Sequence, residues 1–291
     1  MNIIVGATGQ VGSYLISELK SSGYPVRAVV REPTELKAKT IEAKAANLFD
    51  AEQLTKAFKG GTTVFVLTPE SPASSDIIGE TKQIVANYRK AIQEARIRRV
   101  VGLSCIGAHV EGSTGNILMS RILEQGFEGL EVEQVFVRPS YYFSNWLGYL
   151  ETAQTYGVLP SFFPDDLHLD MNSPVDLAKF IAHVMSTITS SESKKIYELT
   201  GPQKYSARDV ARVFSALLHK NVAVQSIPNA QWKETLLSVG FTENTARNLM
   251  DMTQAVIYHK TVPERPGDAL KLPTTLEVYM EEQLKIQSMT R

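Results

Sequence analysis

Residues 2–13 read NIIVGATGQVGS. Ile3, Ile4 and Val5 give the interior of a buried strand, and Gly6-Ala7-Thr8-Gly9-Gln10-Val11-Gly12 follows at once. Beyond it Val11, Tyr14, Leu15 and Leu19 recur at helical spacing. The glycines therefore stand where a strand turns into a helix. In such a turn the first glycine allows the tight bend and the second lets the backbone approach a pyrophosphate. The third lets the helix pack close to the sheet. The helix N-terminus adds unpaired N–H groups and a partial positive charge. The stretch is expected to hold the diphosphate of a nucleotide; an ordinary glycine-rich turn is the alternative.

Working outward, residues 24–30 (YPVRAVV) read as a second buried strand, with Arg31 and Glu32 at its end. In a fold of this kind that strand end meets the adenosine ribose. An acidic residue there accepts hydrogen bonds from the free hydroxyls of NAD, whereas an arginine pairs with the extra phosphate of NADP. Arg31 favours NADP(H) over NAD(H); Glu32 beside it would oppose a phosphate if it pointed the same way. Further strands are expected at 41–46, 63–67, 100–103 and 132–137, and helices at 51–58, 75–95 and 116–125, with Asp50 capping the helix at 51. Arg96, Arg98 and Arg99 read as a solvated turn at the far end of the sheet. The alternation predicts a parallel, doubly wound α/β sheet with right-handed crossovers. Ligands meet such sheets at the carboxyl ends of the strands, which here carry Leu67, Thr68, Ser104 and Pro139.

After residue 145 the rhythm changes. A helix is expected over 142–156, a loop of prolines and aromatics over 159–164, and short strands at 167–171, 195–199 and 222–227. Helices are expected from Pro174, from a Ser206 cap with Asp209 in capping-box position, at 231–238, at 243–258 and at 274–285. This predicts a dinucleotide domain over 1–150 and a mixed substrate-side lobe over 151–291, some of whose segments return to the sheet.

The chain has 291 residues, 43% of them hydrophobic, enough for a sizeable core. Its formal charge of -1 gives no general attraction for nucleic acid or membrane. The absence of a long apolar run or leader-like segment and a single cysteine, Cys105, predict a cytoplasmic protein without disulfides. The five histidines show no metal-ligand spacing.

Taken together, the glycine motif, Val30-Arg31, Arg138-Pro139 followed by Tyr142-Phe143 and Asn145, Val175-Asp176-Leu177-Ala178, Tyr197-Glu198-Leu199-Thr200-Gly201-Pro202 and Pro273-Thr274-Thr275-Leu276-Glu277 resemble the NmrA-like group of atypical short-chain dehydrogenases. The resemblance implies an NADP-binding Rossmann domain with a small C-terminal lobe. It also implies one of two roles. Some members reduce quinones, ketones or related small molecules with NADPH; others bind the dinucleotide without turnover and signal redox state to a partner protein. A homo-oligomer is compatible with either.

Ordinary short-chain dehydrogenases place a serine after the fifth strand and Tyr-x-x-x-Lys on the next helix, the tyrosine acting as general acid. Ser104 stands at the serine position, but Asn116 and Ser120 stand where the tyrosine and lysine are expected, with Arg121 one place on. A sugar-nucleotide epimerase, which relies on that dyad, is disfavoured. Hydride transfer to a quinone needs instead a bound nicotinamide, a stacked acceptor and exclusion of water. Tyr141, Tyr142 and His109 are the catalytic candidates. Tyr142, Phe143, Asn145, Trp146 and Phe162 are candidates for an apolar acceptor pocket, with packing of the lobe as the competing reading of the aromatics.

Overall fold

The structure, a computed structural model, describes residues 1–32, 41–187 and 193–289. Strands β1 (Asn2–Val5), β2 (Val26–Val30), β3 (Glu42–Ala45), β4 (Thr63–Leu67), β5 (Arg99–Leu103) and β6 (Glu133–Pro139) alternate with helices α1 (Gln10–Ser21), α2 (Ala51–Phe58), α3 (Ile77–Glu94) and α4 (Ile117–Gln125). The second half contains β7 (Tyr141–Tyr142), a 3-10 segment (Phe143–Tyr149), α5 (Leu150–Tyr156), β8 (Val158–Ser161), β9 (Leu169–Asn172), α6 (Pro174–Thr187), β10 (Lys194–Thr200) and β11 (Lys204–Tyr205). It ends with α7 (Ala207–Leu218), β12 (Ala223–Ser226), α8 (Asn229–Ser238), α9 (Glu243–Ile257), β13 (Leu270–Lys271) and α10 (Leu276–Met289).

Eight strands form one parallel sheet in the order β13-β10-β6-β5-β4-β1-β2-β3. Successive side chains of each strand point to opposite faces. Ile4, Phe65, Val101, Val135 and Val137 face α1 and α6, while Ile3, Val5, Val64, Val66, Val100 and Phe136 face α2, α3 and α4. Both faces are covered, so the strands read as continuous apolar runs. Each such side chain buried contributes about 1.5–3 kcal/mol. The edge strands β3 and β13 are the exceptions: both are largely exposed, and on β3 Glu42 pairs with Arg27 of β2 at 2.9 Å. Helix starts follow the sequence. Asp50 accepts the amides of Glu52 and Gln53, and Ser206 with Asp209 forms a reciprocal capping box.

The chain runs outward from β1 to β3, then crosses back to β4. That reversal opens a crevice at the carboxyl ends of β1 and β4. A separate core, including Phe143, Trp146, Tyr205, Phe214 and Tyr279, fills the C-terminal lobe.

Three local expectations are corrected. Of the helix expected over 142–156, Tyr142 lies instead on β7, which pairs with Met171–Asn172, Phe143–Tyr149 is 3-10, and α-helix begins only at Leu150. The 159–164 segment is not wholly loop: Val158–Ser161 pairs with Ala223–Ser226, with Pro160 tolerated in this two-stranded ribbon. Arg99 is not solvated; it lies buried on β5, bonded to Glu133 at 2.7 Å and to the Val184 carbonyl at 3.1 Å.

Candidate active site

The turn after β1 is closed by a hydrogen bond from the Gly9 amide to the Gly6 carbonyl, 2.9 Å. Gly6 adopts φ +67°, a left-handed conformation that favours glycine. A Cβ at Gly12 would overlap the Gly6 carbonyl oxygen, so α1 packs this close to the turn only without one. Ala7 and Val11 are buried beneath the turn, while Thr8, Gly9 and Gln10 are exposed above it. No side chain caps α1 and no acidic residue occupies its first turn. Its leading amides therefore meet solvent with their partial positive charge uncompensated.

A cleft of about 650 Å³ opens over this turn. Its walls are Gly6, Thr8 and Gly9, then Val30 and Arg31 after β2, then Leu67, Pro69 and Glu70 after β4, with Glu80 and Thr81 of α3 opposite. Arg31 is exposed at the rim, and among the described residues no partner holds its guanidinium. The lining includes neither Glu32 nor Thr68.

At the inner end of the cleft several polar groups converge. Asn116 is buried just ahead of α4 and donates from Nδ2 to Glu70 Oε2 at 3.0 Å, while its Oδ1 has no partner. Glu70 is exposed to solvent along the cleft, but the protein packed about its carboxyl raises the pKa through desolvation, against the hydrogen bond from Asn116. Burial likewise raises the hydroxyls of Tyr141 and Tyr142, with the negative charge of Glu70 contributing to both. The Tyr141 hydroxyl is hydrogen-bonded with exposed Asn145. Burial pushes the Cys105 thiol up to about 12, against a hydrogen bond with Ser120.

Ser104 is turned away from this group. Its hydroxyl donates to Glu124, whose two oxygens also accept from Arg138 at 2.8 Å each. Arg138 reaches Glu264 at 2.6 Å and Glu198 at 3.5 Å, and Glu198 accepts the amides of Glu264 and Arg265. Ser104 and Arg138 thus belong to a buried ion cluster that ties the 264–265 segment to the sheet. Arg138 holds the Glu264 carboxyl below its usual range; His109 sits beside this cluster and lines neither the dinucleotide cleft nor the cavities of the lobe. Arg121 holds the preceding loop through Val110 and Glu111.

A second cavity, of about 460 Å³, lies in the lobe. Tyr141, Trp146, Tyr149, Phe162 and Phe163 form one side; Leu236, Val239, Phe241, Leu249 and Met252 form the other. No charged side chain is among its lining residues. Tyr141 stands edge-on to Phe163, ring centres 5.5 Å apart, and Phe162 is edge-on to Trp232 at 5.8 Å. A smaller cavity of about 120 Å³ shares Tyr141 and Met252 with it and extends to Cys105, Ile117 and Pro139 at the strand ends. The structure thus brings Tyr141, Trp146 and Phe162 together around one space. Phe143 is instead fully buried in the lobe core against Tyr205 and Tyr279, and Tyr142 packs onto the sheet core.

The sequence reading missed Glu70, although it lies in a loop at a strand's carboxyl end, where ligands are expected. It also missed the α9 wall, for which the i, i+3, i+4 spacing of Leu249, Met252 and Thr253 was the available signal.

The NmrA-like family model matches residues 2–280. The chain belongs to the NmrA-like family. This NmrA-like protein is 26% identical over 253 residues to an NAD(P)H azoreductase of Xenophilus azovorans, a match covering 84% of each chain. It is 25% identical over 257 residues to quinone oxidoreductase 2 of Escherichia coli, covering 86% of each. Among solved structures, an Escherichia coli NADPH-dependent quinone oxidoreductase in complex with NADPH superposes with a TM-score of 0.79 at 24% identity, covering 98% of this chain and 100% of that one. A Citrobacter triphenylmethane reductase does so with a TM-score of 0.80 at 19% identity, covering 98% and 99%. Among the described residues no helix is long and apolar enough to cross a membrane, and no cluster of His, Cys, Asp and Glu could hold a metal.

Proposed function

We propose that this protein is an NADPH-dependent reductase of a small apolar carbonyl or quinone acceptor. The observation that carries the reading is the junction at Tyr141, where an uncharged aromatic cavity connects through a narrow space to the strand ends beside a cleft suited to an anionic dinucleotide. Two relatives named as azo and quinone reductases agree with it.

The residues present fit the cofactor. The exposed backbone from Thr8 to Gln10 and the uncapped start of α1 would hold the diphosphate, and Arg31 would pair with the adenosine phosphate that distinguishes NADPH. Bound NADPH supplies a hydride. The chain's own task is to seat the acceptor, keep water out and manage a proton. Trp146, Phe162 and Phe163 offer faces for a flat ring. Tyr141 borders both the cavity and the narrow space; its hydroxyl is protonated at neutral pH as an ordinary phenol is, and burial holds it more firmly so, which suits it to orient an acceptor oxygen as a hydrogen-bond donor and not to act as a base.

The test is NADPH consumption against a panel of quinones and azo compounds, with NADH in parallel. Turnover that prefers NADPH is expected. Saturable NADPH binding with no consumption across the panel would overturn the proposal in favour of a redox-sensing regulatory protein that acts through a partner.

A further inference from the structure

Reduction of a carbonyl or quinone needs a proton as well as a hydride, and neither Asn116 nor Ser120 carries an acid to give. Three titratable side chains border the seam between cleft and cavity, Glu70 on the cleft and Cys105 and Tyr141 on the narrow space, and Tyr142 is within electrostatic reach of Glu70 and Cys105. All four hold their protons more tightly than usual, but the Cys105 thiol, at about 12, and both tyrosines, above the ordinary phenol range, start from groups that are already weak acids. Such groups are poor acids at neutral pH.

Glu70 differs in position and in partner. It lines the dinucleotide cleft, it is reached by water along that cleft, and its negative charge is felt by Cys105, Tyr141 and Tyr142. The side chain bonded to it is an amide, with no cation beside it among the described residues. A lysine or arginine in that place would keep the carboxyl ionised. Asn116 can meet either state: Nδ2 donates to the carboxylate, and Oδ1, otherwise without a partner, can accept from the protonated acid when the amide turns over.

We propose that Glu70 is the acid that protonates the acceptor oxygen as the acceptor takes up its hydride. This rests on the reductase reading above. Written for a quinone, the carbonyl system receives two electrons and one proton as hydride from NADPH, which leaves as NADP⁺. The O–H bond of the Glu70 carboxyl breaks, the new O–H bond forms on the quinone oxygen, and hydroquinone results. The Glu70 carboxylate then regains a proton from water along the cleft. Net, NADPH, quinone and one proton give NADP⁺ and hydroquinone.

The substitution Glu70→Gln keeps the bond to Asn116 and removes the proton. With the protein saturated by dinucleotide, single-turnover reduction is expected to slow by about 100-fold, the lower range for loss of a general acid. The wild-type rate should fall as pH rises through the Glu70 pKa, and that fall should vanish in E70Q. Independently of turnover, infrared titration of the protein without ligands should show one protonated-carboxyl band persisting above the ordinary carboxylate range and absent from E70Q. An undiminished E70Q rate, weakened dinucleotide binding at an unchanged rate, or a Glu70 band that titrates in the ordinary range would each overturn the assignment. A wild-type protein that turns over no acceptor would remove the reductase reading and this proposal together, whereas an active E70Q beside an active wild type would remove this proposal alone.

Discussion

The cleft over the strand ends and the cavity in the lobe are built on opposite principles. The cleft presents backbone: a glycine turn, a bare helix start and one strand end with a cation at its rim. Its recognition chemistry is fixed by where main-chain amides point, so one short stretch of chain supplies it. The cavity presents mainly aromatic and aliphatic side chains with a few hydroxyls, drawn from residues 141–163 on one side and from 227–253 on the other. No charged side chain lines it, so under the proposed reading its choice of acceptor would rest mainly on shape and apolar area, which discriminate weakly between similar ligands. The first region suits a ligand that is always the same molecule. The second suits acceptors that vary.

That contrast can be broken in order of expected effect. Gly12→Ala places a methyl group against the Gly6 carbonyl, and overpacking of this kind costs about 1–3 kcal/mol. Thermal unfolding should move down, and dinucleotide binding, followed by fluorescence titration, should be lost because the turn itself is displaced. Arg31→Ala should leave the fold intact and weaken NADPH but not NADH. Hydrogen bonds to a charged group contribute about 1.5–3 kcal/mol, so a loss of about tenfold or more is expected in NADPH affinity alone. Equal loss for both dinucleotides would remove the arginine from its assigned place. Phe162→Ala should raise KM for the bulkier acceptors by about tenfold, the order that pocket contacts supply, while NADPH affinity stays put. A change in NADPH affinity there would mean that the two regions are not separable.

The smallest effect tests the seam between them. A raised carboxyl pKa means that the folded protein holds the Glu70 proton more tightly than the unfolded chain does. That contribution is fully present below the unfolded pKa and is lost as pH rises through the folded one. Gln does not titrate. Melting scans over a pH series should therefore show E70Q gaining on wild type from acid toward neutral pH, with the difference levelling off below about pH 4.

How far the sequence could be read follows the same division. The β1–α1 turn lies within residues 2–13, and each of its glycines answers a local steric demand, so its reading needed no distant partner. The strands buried on both faces announced the parallel sheet for a similar reason. Ser104 was a fair expectation from its position at the end of β5, but its hydroxyl is taken by Glu124, which in turn answers Arg138. No spacing along the chain could reveal that. The same holds for the aromatics after β6. In sequence, Phe143 and Trp146 are equivalent apolar residues three apart; in space, one is sealed against Tyr205 and Tyr279 while the other borders the cavity.

The amino-acid order alone thus determined the Rossmann-type sheet, its glycine turn and the NmrA-like family, because strand burial and turn geometry are decided by neighbours in the chain. The tertiary structure alone decided which side chains meet across the seam. It set Glu70 against Asn116, turned Ser104 toward Glu124 and laid α9 over the aromatic wall. Contacts between segments far apart in sequence depend on how the lobe packs onto the sheet, and local periodicity carries no record of that packing.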